Sequence, residues 1–422
     1  MILRVTSKKK NVIKMNDQQL LASCTLSIPS KLIFGIDTVT EIPAEVKRLS
    51  SKSAVVFFLT DENIKKTVAV KKIENIFKQE EVESKIFAMK SGEPSLEVAN
   101  DIANRIREDD FDLVVGVGGG STMDMAKTAA IMYTNPGNVE NYFSFEQSPI
   151  KKSPLPKILI PSTAGTGSEV TPYAMVTHEG IKYAITGPEV VADVAIVDPR
   201  ATVSCPPKVT AYTGMDALTH NLEAVLSLKA SPLTDMYAFE AIRLIGRSMR
   251  TAYFSGANLG ARYDMSLAAT LGGLAISPPS VPINVGHALS EYFGPKYGIP
   301  HGIANAIQAP FMMEFNLPAA IGRLNIIASC FGADTTKMAP REGAIEAIKA
   351  VRMLVEDLEL PSSLKEVNIP KEDIEDIAKY MFQKQQYEYG LPERNPRIIT
   401  MENIKSLMEN MWEGKLKTIK LN

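Results

Sequence analysis

Four histidines in a chain of 422 residues are few enough for their positions to be informative. Asp216 and His220 are four residues apart in a predicted helix, so their side chains share one helix face. A carboxylate and an imidazole on one face form half of a site for a divalent metal. His287 and His301 follow in separate segments, and convergence of all four residues would suit Fe(II) or Zn(II). Spacing alone does not distinguish such a site from histidines packed separately in the core.

A glycine-rich turn between a predicted strand and a predicted helix is a candidate cofactor site. The turn contains Gly118-Gly119-Gly120-Ser121. Glycine lets the backbone approach a ligand closely, and the free N–H groups at a helix start suit a diphosphate. We expect Ser121 to cap the helix, with Asp124 in the capping-box position. The turn lacks the Gly-x-Gly-x-x-Gly fingerprint, so a tight turn without a ligand explains it equally well.

Polar groups follow two other predicted strands. Residues 161–169 form a loop rich in hydroxyl groups, including Thr163, Thr166 and Ser168. Loops at strand ends of one sheet can converge on one anion, although a flexible surface loop is the alternative. Asp61 follows the first buried strand and is suited to an adenosine ribose, which would favour NAD over NADP. Capping of the next helix is the alternative role for Asp61.

The elements that would position these residues change in character near residue 199. Before it, runs rich in Val, Ile and Leu predict strands at 53–59, 84–88, 112–117, 157–160 and 194–197. The predicted helices between them are 62–79, 95–107 and 121–133, and a hairpin is predicted at 173–184. This alternation is typical of a parallel sheet covered by helices on both faces.

After Asp198-Pro199, strand-like runs nearly vanish. Helices are predicted at 208–228, 232–254, 260–276, 301–316, 318–331, 341–359 and 371–386. We therefore predict an N-terminal extension (1–26), a dinucleotide-binding α/β domain (27–199) and an all-α metal-binding domain (200–422).

The composition is that of an ordinary globular protein, with 45% hydrophobic and 22% charged residues. A net charge of −2 predicts no binding to nucleic acid or to membrane surfaces. We find no apolar stretch long enough to span a bilayer and no signal peptide. The three cysteines are far apart, which argues against a disulfide framework and fits a reducing compartment. We expect a cytoplasmic protein.

From about residue 27 to the C-terminus, the chain resembles the iron-containing (group III) alcohol dehydrogenases, a family with the dehydroquinate-synthase-like fold. The matching segments occur in the family's order and at similar spacing: 30–35, 118–121, 161–171, 195–199, 214–223, 287–289 and 300–306. The resemblance implies an active site in the cleft between the two domains. It also implies a homodimer or a larger homo-oligomer.

The resemblance implies hydride transfer between NAD, or alternatively NADP, and a small alcohol or aldehyde. It gives each candidate residue a role. The metal-binding and catalytic set, for Fe(II) or alternatively Zn(II), is Asp216, His220, His287 and His301. The cofactor-binding set is Asp61, Gly119, Gly120, Ser121, Thr163, Thr166, Ser168 and Lys182.

Three features depart from the family's pattern. Glu291 stands where many members have a second histidine, which affects the proton relay. Glu93 stands where many members have Asn, which affects contacts on the adenosine side. Residues 276–282 are unusually rich in proline, which affects the shape of the substrate pocket.

Alternative functions on the same fold are open. Dehydroquinate-synthase-like enzymes bind NAD and zinc without net oxidation, but they use one Glu and two histidines. Glycerol-dehydrogenase-like enzymes usually have one histidine fewer, and maleylacetate reductases lack the metal positions that are filled in this chain. A non-enzymatic binding protein would have lost ligands, whereas none is lost here.

Overall fold

The computed structural model describes residues 24–50, 54–144, 150–278, 284–384 and 390–419. Residues 1–23 of the predicted extension and residues 279–282 of the proline-rich stretch lie outside the described residues.

A six-stranded parallel sheet forms the centre of the N-terminal half. The strands in chain order are β1 (Lys31–Phe34), β2 (Val55–Asp61), β3 (Glu83–Met89), β4 (Leu113–Gly118), β5 (Lys157–Pro161), β6 (Tyr173–His178), β7 (Ile181–Thr186) and β8 (Val194–Val197). The strand order in the sheet is β1-β8-β5-β4-β2-β3. Strands β6 and β7 pair antiparallel as a separate hairpin, as predicted.

The sheet is buried on both faces, which explains why its strands are apolar along their whole length. In β2, Phe57 and Leu59 pack into one core cluster, while Val56 and Phe58 pack into another on the opposite face. The covering helices are α1 (Ile42–Leu49), α2 (Val68–Gln79), α3 (Leu96–Ile106) and α4 (Gly120–Thr134).

In its described residues, the C-terminal half contains helices and connecting turns but no β-strand. Its helices are α5 (Pro207–Leu226), α6 (Pro232–Phe254), α7 (Leu259–Ile276), α8 (Val285–Tyr297), α9 (His301–Cys330), α10 (Pro340–Asp357), α11 (Ile374–Lys384), α12 (Leu391–Arg394) and α13 (Met401–Glu413). They pack around one large core cluster. None of the helices in the described part of the chain is long and apolar enough to cross a membrane.

The predicted fold class, an α/β domain followed by an all-α domain, is confirmed. Several details of the prediction were wrong. Helix α2 begins at Val68 instead of residue 62, because turns occupy the preceding residues. The helices predicted at 301–316 and 318–331 are present as the two parts of α9, but they meet at a kink at Ala320, two residues after Pro318, and not at residue 317. Strand β1 and helices α1, α8, α12 and α13 were not predicted. The boundaries at 26 and 199 stay predictions.

Candidate metal centre and cofactor cleft

A cavity of about 1200 Å³ extends from the glycine-rich turn after β4 to the helices that carry the histidines. The two loops that line it on the sheet side follow β4 and β5, at the carboxyl ends of the strands. Ligands bind at this edge in open parallel sheets. The cavity is lined by every residue of the two predicted sets: Asp61, Gly119, Gly120, Ser121, Thr163, Thr166, Ser168, Lys182, Asp216, His220, His287 and His301.

The three helices α5, α8 and α9 bring the metal-binding candidates together. The Nε2 atoms of His220, His287 and His301 lie 3.9, 3.8 and 3.6 Å from the Asp216 Oδ1 atom. These separations are too long for hydrogen bonds. Ligand atoms about 2.1 Å from a tetrahedral metal stand roughly 3.4 Å apart, so the spacing fits a shared ion.

The four residues are not equally close to one another. Ligand atoms of Asp216, His220 and His287 all lie within 4.8 Å of one another. His301 begins α9 and approaches the group through Asp216. The fourth histidine, His178, ends strand β6 with a side chain that is 41% exposed, outside the cluster.

Glu223, which was not among the predicted site residues, holds His287 in place. The Glu223 Oε2 atom lies 3.2 Å from His287 Nδ1, and Oε1 accepts the backbone N–H of His287 at 2.7 Å. With Nδ1 facing a carboxylate, Nε2 is directed toward Asp216. A signal was present in the sequence, because Asp216, His220 and Glu223 follow one another at i, i+4 and i+7 on α5.

The start of α8 fits tightly against this carboxylate. Asn284 caps the helix by accepting the backbone N–H of Gly286 at 3.2 Å. A Cβ atom on Gly286 would lie 2.4 Å from both Glu223 Oε1 and Gln308 Oε1. Only glycine therefore fits beside His287.

A second buried residue, Asn305 on α9, positions the carboxylate. Its Nδ2 group donates to Asp216 Oδ1 at 2.7 Å and lies 3.4 Å from His287 Nε2. Its own carbonyl oxygen accepts hydrogen bonds from Ser290 and Gln308. The surroundings of the site are thus a hydrogen-bonded network rather than an apolar core.

The protonation states suit metal binding at three of the four residues. Burial would raise the pKa of Asp216, but the neighbouring imidazoles hold it well below its usual range. Burial lowers the pKa of His220 to about 4 and that of His301 well below its usual value. An ionised carboxylate and neutral imidazoles are the forms that ligate metals. Burial would also lower the pKa of His287, but Glu223 and Asp216 raise it to about 10.

The two loops predicted to bind the diphosphate pack against each other. A Cβ atom on Gly119 would lie 3.6 Å from Thr163 Oγ1, and one on Gly120 would lie 2.8 Å from Thr166 Oγ1. Gly119, with no side-chain hydrogen bond, is the N-cap of α4, so the prediction that Ser121 caps the helix was wrong. The first backbone N–H groups of α4 therefore have no side-chain cap and face the cavity edge.

Asp124 does not complete a capping box, because its carboxylate reaches the second loop. It accepts the hydroxyl of Ser168 at 2.6 Å and the backbone N–H of Met175 at 3.2 Å. Lys127, which was not predicted as a site residue, is fully buried and donates to Ser168 Oγ at 2.9 Å and to Tyr173 O at 2.6 Å. Helix α4 is thereby fastened to the loop. The hydroxyl group of Ser168 therefore already forms hydrogen bonds with Asp124 and Lys127.

The second loop also touches the helical half. Gly167 has a φ of 64°, and a Cβ atom there would lie 2.6 Å from Ala269 O and 2.7 Å from Gly273 Cα. Nearby, Thr270 Oγ1 donates to Glu169 Oε1 at 2.7 Å. We call these contacts between the loop and α7 the loop–α7 seam. Glycine is required at Gly167 both by its backbone conformation and by the lack of space.

Asp61 stabilises the turn that follows β2 and also lies at the wall of the cavity. Its Oδ1 atom accepts the backbone N–H groups of Asn63 and Ile64 and the hydroxyl of Ser91. It therefore caps a turn, and not helix α2, which begins at Val68. The Oδ2 atom faces Thr122 Oγ1 at 3.5 Å, at the wall of the cavity.

Lys182 lies on the hairpin and faces both halves of the cavity. Its Nζ atom pairs with Glu93 Oε2 at 3.2 Å, and its side chain is only 9% exposed. Glu93, noted as a departure from the family's pattern, thus serves as the partner of Lys182. Burial raises the pKa of Glu291, the second departure, while the charge of Lys182 opposes that rise.

Comparison with known proteins assigns the family. The model of the iron-containing alcohol dehydrogenases matches residues 29–199, and that of the C-terminal domain of the Fe-containing alcohol dehydrogenase family matches residues 210–412. The chain belongs to the iron-containing alcohol dehydrogenase family. The predicted resemblance and the predicted class of enzyme, an oxidoreductase of this family, are confirmed.

The similarity extends over nearly the full length of the relatives. Long-chain-alcohol dehydrogenase 1 of Geobacillus thermodenitrificans is 35% identical over 387 residues, which cover 90% of this chain and 95% of the relative. The crystal structure of a 1,3-propanediol oxidoreductase superposes with a TM-score of 0.86 at 29% identity, covering 93% of this chain and all of the other. Sulfoacetaldehyde reductase of Bifidobacterium kashiwanohense, in complex with NAD+, has a TM-score of 0.81 at 27% identity and covers 92% of this chain and 99% of that one.

Proposed function

We propose that this protein is an Fe(II)-dependent, NAD-linked dehydrogenase that interconverts a small alcohol and its aldehyde. The observation that carries the proposal is the convergence of three Nε2 atoms within 3.6–3.9 Å of Asp216 Oδ1, in the cavity that the glycine-rich turn also lines. A metal centre and a diphosphate seat in one cavity are what a metal-assisted hydride transfer requires.

The donor set fits a divalent transition metal. Asp216, His220, His287 and His301 would hold Fe(II), with Zn(II) as the alternative because both accept imidazole and carboxylate ligands. When bound, the metal would supply a Lewis acid for the substrate oxygen. Glu223 and Asn305 would keep the ligands oriented.

The cofactor-binding residues would contact different parts of the dinucleotide. The backbone of Gly119, Gly120 and Ser121 would bind the diphosphate together with Thr163 and Thr166, while Ser168 holds the second loop to α4. Asp61 would accept hydrogen bonds from the adenosine ribose and repel a 2′-phosphate, which favours NAD over NADP. Lys182 would contact the cofactor from the hairpin. The NAD+ complex of the sulfoacetaldehyde reductase supports this choice of cofactor.

The protein itself would position the substrate and the nicotinamide, exclude water from them and provide one group that exchanges a proton. The reacting carbon and the nicotinamide must meet between the helices that carry the ligands and the loops that bind the diphosphate. No side chain needs to act as a nucleophile. The Glu291 carboxyl group lines the cavity near Lys182 and would exchange the proton of the alcohol.

The test is NADH oxidation by anaerobically purified protein loaded with Fe(II), with a panel of short aldehydes. We expect turnover that a chelator abolishes and that is weaker with NADPH. The variant His220→Ala should lose at least roughly 100-fold in kcat/KM, while His178→Ala, a histidine outside the site, should not change it. Full turnover of His220→Ala without metal would contradict the mechanism. No turnover of the wild type with either cofactor and any metal would favour a non-redox enzyme of the same fold.

We also propose a homo-oligomer and a cytoplasmic location. The family resemblance supports the oligomer, and so does β1, an edge strand on which Leu32 is 43% exposed. Light scattering of the purified protein tests the first proposal, and fractionation of the producing cell tests the second. A monomer in solution would contradict the oligomer.

A further inference from the structure

Glu93 is a carboxylate in the wall of the cavity to which the proposed function gives no role. Its Oε2 atom lies 3.2 Å from Lys182 Nζ, and both residues line the cavity. The Lys182 side chain is nearly buried, whereas that of Glu93 is 43% exposed. The two charges therefore form a pair at the cavity wall that solvent screens only in part.

The backbone brings Glu93 to Lys182. Thr177 stands opposite Lys182 in the antiparallel hairpin of β6 and β7. The backbone N–H of Thr177 donates to the carbonyl of Pro94 at 2.7 Å. Glu93 precedes Pro94 in the chain, so it is fixed beside the hairpin that carries Lys182. A substitution of the Glu93 side chain leaves this backbone hydrogen bond intact.

The hairpin also places Lys182 on the side of the cavity that carries the metal-binding helices. A Cβ atom on Gly180, at the tip of the hairpin, would lie 3.9 Å from the Cβ atom of Pro295 on α8. Burial lowers the pKa of His301, and the positive charge of Lys182 lowers it further. The ammonium group of Lys182 is therefore close enough to this side of the cavity to act on a histidine there.

The nicotinamide ring has to lie on the same side. Its C4 atom must come within contact distance of a carbon whose oxygen is bound at the metal-binding residues. The ring carries a positive charge in NAD+ and none in NADH, while the rest of the dinucleotide is the same. A nearby carboxylate therefore favours the oxidised cofactor, and a nearby ammonium group favours the reduced one.

We propose that Glu93 determines the preference of the site for the oxidation state of the cofactor, because its carboxylate offsets the charge of Lys182 and so favours NAD+ relative to NADH. This inference rests on the proposed function. Asparagine, which many members of the family have at this position, would leave the charge of Lys182 without compensation. Glu93 is thus a departure from the family's pattern with a stated electrostatic effect.

The experiment measures the dissociation constants of both cofactors with Zn(II)-loaded protein, by the fluorescence of bound NADH and its displacement by NAD+. Glu93→Gln should raise the ratio of Kd for NAD+ to Kd for NADH roughly 3- to 10-fold. Glu93→Asp keeps the charge and should keep most of the wild-type ratio. Glu97→Gln is the matched control, because Glu97 is an exposed carboxylate on α3 that does not line the cavity.

Lys182→Gln provides a second test, because removing the positive charge should lower the same ratio. A merely structural effect would weaken the binding of both cofactors by the same factor in either variant. If Glu93→Gln leaves the ratio unchanged, if Glu93→Asp shifts it as much, or if Lys182→Gln also raises it, the inference is wrong and the proposed function stands. If the wild type binds neither cofactor, the proposed function fails and this inference fails with it.

Discussion

Glu223 and His287 are joined twice, by a carboxylate–imidazole contact of 3.2 Å and by a backbone hydrogen bond of 2.7 Å. A carboxylate behind an imidazole orients the ring and increases its basicity as a ligand. We therefore expect Glu223→Gln to weaken metal binding roughly 10- to 100-fold, as measured by chelator competition with Zn(II) and Fe(II). Glu375→Gln, which removes an exposed carboxylate, is the control. An unchanged metal affinity in Glu223→Gln would show that the contact between Glu223 and His287 does not contribute to metal binding.

The carboxylate of Asp61 should decide between the two nicotinamide cofactors. In Asp61→Asn, the side-chain oxygen can still accept the N–H groups of the turn, but the negative charge is lost. We expect the ratio of kcat/KM for NADPH to that for NADH to rise about 10-fold, because repulsion of the 2′-phosphate is removed. Asp101→Asn, an exposed carboxylate bonded to Arg105, should leave the ratio as it is. An unchanged ratio in Asp61→Asn would place the ribose elsewhere.

Gly167 should tolerate no side chain. Its positive φ and the 2.6 Å separation from Ala269 O predict that Gly167→Ala lowers the free energy of unfolding by about 2–4 kcal/mol. Gly322→Ala is the matched control, because nothing lies within 4 Å of a Cβ there. In helix α9 that change should stabilise the protein by about 0.5–1 kcal/mol. Urea denaturation measures both values, and equal effects would refute the packing argument.

Lys127 should make stability depend on pH. Burial lowers its pKa from 10.5 to about 8, although Asp124 and Glu169 oppose that change. Between these values the unfolded chain holds the proton that native Lys127 has released, so the free energy of unfolding rises with pH. The wild type should therefore gain stability relative to Lys127→Met between pH 7.5 and pH 10.5, as urea denaturation would show. Lys71→Met, which changes an exposed lysine on α2, is the control. Its free energy of unfolding should differ from that of the wild type by the same amount at each pH. A constant difference for Lys127→Met as well would refute the prediction.

The sequence allowed prediction of the fold class because each half has its own pattern. Fully buried strands such as Val114–Val117 are apolar throughout, and this pattern ends at Pro199. Helix α8 was missed because Gly286, Gly294 and Pro295 interrupt its helical pattern.

The site was only partly predictable for a different reason. Asp216 and His220 share a helix turn, so their proximity follows from local geometry. Their approach to His287 and His301 depends on the packing of three helices, which sequence spacing does not encode. The prediction that these four residues converge came from the resemblance to the iron-containing alcohol dehydrogenases. Lys127 was missed although a lone lysine within the apolar run of α4 is itself unusual.

The loop–α7 seam also limits how the two halves can move. At Gly167 and Gly273 the two backbones touch with no side chain between them, so neither can slide past the other without a clash. A rotation about this contact avoids that clash, so residues beside it, such as Thr166, would move little if the cavity opened in that way.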